Sequence, residues 1–390
     1  MQEQNALPLP LTETTSTPTL PAPPRPGIGL CLSGGGYRAM LFHVGAFWRL
    51  NEFGYLPKLD RISSVSGGSI TAGVLGLHWS SLAFDQNGVA QNFEQQFIAP
   101  IRKFAATTTD VWAILGGMFG PGTIGDRVAG AYRKHLFGAN TLQTLPDRPR
   151  FVINTTNVQS GVLCRFSKPY MWDYRVGQIK NPTIELAIAV AASSAFPPVL
   201  SPVQLNVQPS LFTPGSGTDL EFEPYTRNMV LTDGGVYDNL GLETVWKEYE
   251  TILVSDAGGK LDAQQKPKTN WIFHALRVLN LIDSQVRSLR KRQVVDSYTN
   301  KTRKGTYWGI RTNIANYGLA NALPCPEKQT LQLADIATRL KRLSSLEQER
   351  LINWGYAVTD AAMRKHVDPT LPTPVGFPYP AAGVGSSQDS

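Results

Sequence analysis

Along most of this chain, short apolar runs that end in glycine or serine alternate with longer segments of helical period. Residues 27–32 read GIGLCL, short and apolar enough for a buried strand. They meet Ser33-Gly34-Gly35-Gly36. From 37 to 52, Met40, Leu41, Val44, Phe47, Trp48 and Leu50 give a helix a wide apolar face. The same order recurs from residue 61: a strand over 61–65, then Ser66-Gly67-Gly68, then a helix from 69 to about 79. Further strands are predicted at 150–156, 161–166, 228–232 and 250–255, with helices near 182–195 and 240–249. Beyond about 260 the period is mainly helical, over 270–295, 328–343 and 347–364. Strands alternating with helices predict an α/β fold, a mostly parallel central sheet flanked by helices, with a helical C-terminal extension.

Composition adds boundaries. With 42% hydrophobic and 17% charged residues among 390, the chain can bury a sizeable core and is too apolar to be disordered throughout. Residues 1–26 hold seven prolines, five threonines and no aromatic residue, which predicts a disordered Pro/Thr-rich arm. Residues 367–390, with five prolines and a Gly/Ser end, are expected to form a disordered tail. Between them, 27–260 carries the chemistry, and 261–366 reads as a mainly helical extension or cap packed on the same domain. Cys31, Cys164 and Cys325 are far apart and fall in no CxxC pattern. That argues against a disulfide framework or a cysteine zinc site and for a reducing compartment. The first residues lack the basic start and apolar core of a secretory signal, and no run approaches the roughly 18 apolar residues of a spanning helix. A cytoplasmic location, with peripheral membrane contact, is the expectation.

Three turns carry candidate chemistry. In LSGGGYRA, a strand passes through glycines into a helix, so bare backbone N–H groups and the helix N-terminus form an anion site for a phosphate or an oxyanion. Residues 34–39 also satisfy GxGxxA, the dinucleotide fingerprint. That fingerprint wants an acid closing the second strand, and here Ser66 closes it. In Ser64-Val65-Ser66-Gly67-Gly68, a serine sits on a sharp strand-to-helix turn, where its Oγ is held exposed and small neighbours allow close packing. The plainer alternative makes Ser66 a helix N-cap. Thr232-Asp233-Gly234-Gly235 places a carboxylate at a strand end, as does Asp256 in SDAGG, which stays open as a rival base. Asp238, before NLGLE, has the look of a helix cap. None of His78, His135, His274 or His366 lies in a glycine-flanked loop after a strand, and His43 lies on the helix after the glycine run. A nucleophile, a base and oxyanion donors therefore suggest a Ser–Asp dyad of Ser66 and Asp233.

SGGGYRA (33–39), SVSGG (64–68) and DGG (233–235), in that order, resemble the motifs of the patatin-like phospholipase family. That family has a glycine-rich oxyanion motif DGGGxRG, a GxSxG elbow and a DGG or DGA aspartate. The resemblance spans roughly 27–260. Ser33, Ala39 and Ser64 depart from the family pattern and leave the nucleophile, the base and the loop glycines in place. It implies a lipid acyl hydrolase with a patatin-like α/β sandwich and no metal or organic cofactor. Its nucleophile would be Ser66 on an elbow with Gly67 and Gly68, and its base Asp233 beside Gly234 and Gly235. The oxyanion loop would be Gly34, Gly35 and Gly36, supported by Arg38. The substrate class would be carboxylic esters of phospholipids or acylglycerols. The alternatives are a catalytically silent lipid-binding or scaffold protein of this fold and, after it, a dinucleotide-binding oxidoreductase.

Charge bears on partners. Residues 284–304 contain Arg287, Arg290, Lys291, Arg292, Lys301, Arg303 and Lys304 against Asp296, which is +6 of the chain's formal +7. This stretch reads either as a solvated helix face or as a peripheral contact with anionic membrane. The apolar, glycine-broken 111–122 reads as core or as the wall of an acyl channel. Nucleic acid is a poor fit, because the basic run lacks regular aromatic interleaving.

Overall fold

The computed structural model describes residues 23–107, 124–198 and 200–385. Most of the expected arm, the stretch 111–122 and the last five residues lie outside the described residues. The chain runs β1 (Arg25–Leu32), α1 (Gly36–Glu52), β2 (Arg61–Ser64), α2 (Gly67–His78), α3 (Ala99–Ala105) and α4 (Ile124–Tyr132). Then come β3 (Arg150–Asn157), β4 (Val162–Phe166), β5 (Tyr170–Asp173), β6 (Gly177–Lys180), α5 (Leu186–Ser193), β7 (Val203–Asn206) and β8 (Asn228–Asp233). Two short helices, α6 (Gly235–Asp238) and α7 (Glu243–Trp246), precede β9 (Tyr249–Asp256). The C-terminal part holds α8 (Trp271–Thr299), β10 (Lys304–Gly309), α9 (Glu327–Asp335) and α10 (Ser345–His366). No described helix is long and apolar enough to cross a membrane.

All ten strands join one mixed sheet, ordered β10-β9-β1-β2-β3-β4-β5-β6, with β8 on β3 and β7 on β8. The first five in that order are parallel, and helices cover the sheet as the α/β pattern predicts. Leu30, Cys31 and Leu32 are fully buried, as a central strand needs. The wing beyond β3 is antiparallel. β4 occupies one edge of β3 over Ile153–Asn157. On the other edge β2 ends with Ser64 opposite Ile153, and β8 arrives from the opposite direction and ends with Asp233 opposite Thr155. Two strands thus meet head to head along a single edge, so the residues just past Ser64 and at Asp233 face each other.

The C-terminal part belongs to the same core. α10 packs on α1, with Leu351, Ile352, Trp354 and Met363 buried. A Cβ on Gly45 would stand 2.0 Å from Ile352 O, and one on Gly355 would stand 1.9 Å from Phe42 O, so the two backbones touch where only glycine fits. Asp360 joins the helices by accepting from Arg49 and Arg364 at 2.8 and 2.6 Å. The predicted helix 328–343 stops at Asp335, because the carbonyls of Ala334, Ile336 and Arg339 are turned toward the glycine loop instead. β10 was not predicted: KGTYWG has no clear alternation, and only its pairing with β9 makes it a strand. Residues 367–385, expected in the tail, lie along α1 and α10. Asn353 bonds Tyr379 and Gly383, and Ala382 and Val384 are buried. Proline-rich composition misleads there because side chains of the helices satisfy the extended backbone.

Candidate active site

The elbow forms where β2 turns into α2. Ser66 has φ 51° and ψ −121°, a conformation that costs a non-glycine residue about 1–3 kcal/mol and persists only where its surroundings over-determine it. Those surroundings are a serine network. Ser66 N–H donates to Ser193 Oγ (3.0 Å), Ser193 Oγ donates to Asn154 O (2.7 Å), and Ser69 Oγ lies 2.9 Å from Ser193 Oγ and 3.0 Å from Ser64 Oγ. Ser64, the departure from the elbow glycine, is therefore a working member of the support. Gly67 and Gly68 let α2 press onto the loop before α1: Cβ atoms there would stand 2.2 Å from Gly36 O and 2.7 Å from Leu32 O.

Asp233 caps β8 and is buried. Its Oδ1 accepts the Gly235 N–H at 2.7 Å, while Oδ2 is buried and makes no hydrogen bond. Resting sites often hold catalytic contacts long until substrate closes them. Burial pushes the carboxyl up to about 7; the Gly235 N–H and the Ser66 hydroxyl pull it down, and Asp283 on α8 pushes it up. Burial dominates, and a carboxyl at about 7 is a far better base than an ordinary aspartate. Gly234 is required because a Cβ there would stand 2.3 Å from Asn154 O, and Gly235 because its Cβ would crowd Asn239 and Asp233.

The glycine loop meets the same space, with divided roles. Gly35 (φ 144°) and Gly36 (φ 61°) adopt backbone that other residues avoid. Gly36 opens α1, where N–H groups lack intrahelical partners. Gly34, predicted among the oxyanion donors, gives its N–H to Asn239 O at 3.1 Å. Arg38, placed by sequence with the oxyanion loop, turns away from the cavity and donates to Ala334 O, Ile336 O and Ala257 O at 2.7–2.9 Å, so it straps the loop to the segment after α9. Ser33 Oγ accepts the Ala257 N–H at 2.7 Å. Beneath it, His43 is buried between Ser255 Oγ (2.9 Å) and Ser33 O (3.0 Å), and burial lowers its pKa to about 4. A carbonyl only accepts, so Nε2 carries the proton and His43 is a neutral prop for the loop.

One cavity of about 290 Å³ has Gly35, Gly36, Ser66 and Asp233 on its wall, with Asn239, Phe196, Leu200, Asp283, Arg287 and Leu340. No histidine lines it. Asp256 opens instead on a neighbouring cleft. Both its oxygens are taken, by Gly258 N–H (2.8 Å) and Tyr307 OH (2.6 Å), and Arg287 and these bonds hold it below its ordinary pKa despite burial. Asp238 accepts from Leu240 N–H and Glu243 N–H, a capping role. Sequence reasoning missed Asn154, Ser193, Asn239, Asp283 and Arg287 as parts of this site. Serines and asparagines in ordinary strand and helix context carry no local signal, and Asn239 was hidden behind the capping role of Asp238.

Among the described residues no group of His, Cys, Asp and Glu is arranged to hold a metal, and the three cysteines are free and buried. Among solved structures, human GIVD cytosolic phospholipase A2 superposes with TM-score 0.51 at 13% identity, over 86% of this chain and 58% of that one. The human protein in complex with methyl gamma-linolenyl fluorophosphonate gives TM-score 0.50 at 15% identity, over 86% and 57%. At such identities the likeness is one of fold, and this chain spans less than two thirds of the human chain. No curated protein sequence matches. A family model described as patatin-like phospholipase matches residues 30–246, more than half of the 390 residues, and on that match, with the three motifs on one cavity wall, the chain belongs to the patatin-like phospholipase family.

Proposed function

We propose that this protein is a lipid acyl hydrolase that cleaves carboxylic esters of phospholipids or acylglycerols through an acyl-serine intermediate. Ser66 Oγ attacks the ester carbonyl as Asp233 Oδ2 takes its proton. The carbonyl oxygen, now negative, is held by the N–H groups of Gly35 and Gly36, each such donor being worth about 2.7–4 kcal/mol. Collapse of the tetrahedral intermediate breaks the ester C–O bond, and protonated Asp233 returns its proton to the leaving alkoxide. Asp233 then deprotonates a water that attacks the acyl carbon, and as the acyl–Oγ bond breaks it passes that proton to Ser66 Oγ, releasing the fatty acid and restoring the site. The observation that carries this reading is the meeting of β2 and β8 end to end, with a strained serine and a buried carboxyl at about 7 beside two bare glycines. Phe196, Leu200 and Leu340 give the cavity the apolar wall an acyl chain needs.

The human phospholipase of similar fold was solved in complex with a fluorophosphonate, a class of reagent that suits a nucleophilic serine. Incubating this protein with such a probe should add one phosphonyl group to the peptide holding Ser66. Ser66→Ala should abolish both labelling and hydrolysis of a short-chain ester. Equal ester turnover by Ser66→Ala and the parent would sink the enzyme reading and leave the lipid-binding scaffold.

A further inference from the structure

Up to Leu289, α8 turns polar groups to the body and an apolar stripe to solvent, and only farther on does it bury an apolar residue, Val294. A helix on a globular protein buries its apolar stripe and shows its polar face to water. Here Asp283, Ser284 and Arg287 face the cavity, and Arg290 is buried against Glu243 at 3.0 Å. The opposite face carries Trp271, Val278, Ile282 and Leu289, spaced 7, 4 and 7, the repeat of one helical stripe. They are 79%, 42%, 52% and 57% exposed, and Leu279 beside them is 58% exposed. Phe196 and Val236, about half exposed, extend the apolar surface to the cavity rim. Beside the N-terminal half of the helix, Lys266, Lys268 and Arg277 line a cleft with Phe273, Leu276 and Asn280, Lys260 lies on the cavity wall, and residues 260–277 hold one acid, Asp262.

The basic run 284–304 is not this surface. Arg287 donates to Gly259 O, Arg290 pairs with Glu243, Lys291 lies over the Tyr307 ring, Arg303 lies over Trp246, and Lys304 pairs with Glu250. Arg287, Arg290 and Arg303 are thus held by the fold, while Lys291, Arg292, Lys301 and Lys304 are exposed beyond the apolar stripe, toward the C-terminal end of the helix and past it.

We infer that the outward face of α8, from Trp271 to Leu289, lies in the headgroup region of an anionic lipid bilayer and sets the Ser66 cavity against it. An apolar stripe flanked by cations is what such a surface takes up, the stripe entering the acyl boundary and the cations meeting anionic headgroups. A second copy of this chain is a poorer occupant, because a two-fold contact sets the patch against itself and brings its cations together. Delivery of the ester to Ser66 rests on the hydrolase reading; the docking itself does not.

Binding is measured in the Ser66→Ala protein, so that no lipid is consumed, by co-sedimentation with sucrose-loaded phosphatidylcholine vesicles containing phosphatidylglycerol. Adding Val278→Glu, Ile282→Glu and Leu289→Glu together should lower the partition coefficient at least about tenfold. In the Ser66 protein the same three changes should leave short-chain ester turnover within about twofold, since none of the three lines the cavity. A second readout does not depend on the charged variant. The three native thiols are buried, so a dye on Ile282→Cys reports that site alone and should shift to the blue on vesicles. Unchanged sedimentation of the triple variant, or no blue shift, overturns the proposal. So does a dimer of the parent that the triple variant dissolves. Turnover of soluble ester without vesicle binding removes the docking face and leaves the hydrolase; vesicle binding without ester turnover does the reverse.

Discussion

Replacing Asp233 with asparagine should stabilise this protein while silencing it, and the gain should depend on pH in a defined sense. In the unfolded chain the carboxyl titrates near 3.8; in the fold, burial raises it to about 7. Between those values the folded protein holds a proton that the unfolded chain has released. Stability from this group is therefore greatest below pH 4, falls as pH rises from about 4 to 7, and is fully lost above 7. A rise from 3.8 to about 7 corresponds to at most about 4 kcal/mol. Asparagine removes the charge, and its carbonyl can keep the Gly235 N–H. Its amide takes the place of Oδ2, which has no hydrogen-bond partner, and leaving that group unsatisfied costs about 1–3 kcal/mol. Asp233→Asn should thus be more stable than the parent by about 1–3 kcal/mol at pH 8 and no more stable at pH 4.5. Urea unfolding of both proteins at the two pH values tests this. A variant less stable at pH 8, or a difference that does not change with pH, would refute the claim that burial dominates at Asp233.

On the proposed mechanism the same carboxyl sets the rate profile: kcat/KM for a soluble ester should rise with pH to a plateau, with its midpoint near 7, and a profile flat from pH 5 upward would remove Asp233 as the base. Ser66→Gly should abolish hydrolysis yet raise stability by about 1 kcal/mol in urea, because glycine relaxes at φ 51°. Gly36→Ala should cost at least about 1 kcal/mol and most of the activity, since its φ is 61° and its Cβ would stand 2.9 Å from the Arg339 backbone; a fully active, equally stable variant contradicts this. Arg38→Met, which releases three carbonyls, should lower stability by about 3 kcal/mol and raise amide hydrogen exchange at residues 334–340, and unchanged exchange there would show that the strap is not needed.

Much of this protein was written locally. GIGLCL followed by four small residues can only be a buried strand entering a glycine turn, and RISSVSGG repeats the arrangement with a serine at the corner. The order of the three motifs marked Ser66 and Asp233 as candidates without any contact being known, because bare backbone and forced turns leave a signature in the residues that make them. The partners of those turns left none. That Gly34 gives its N–H to Asn239, that Arg38 straps the segment after α9, and that Asp233 rather than Asp256 shares a cavity wall with Ser66 all depend on which strand lies beside which. β8 reads as a strand in isolation, yet only its antiparallel seat on β3, head to head with β2, brings its aspartate to the elbow. Likewise the helix at 270–295 was legible from its period, whereas the face it turns to the cavity was not: hydrophobic period predicts an inward stripe, and charged neighbours on the body reverse it. Local sequence restricts the backbone within a few residues, where sterics and hydrogen bonding act; the meeting of residues more than a hundred positions apart is decided only when the sheet closes its pairings.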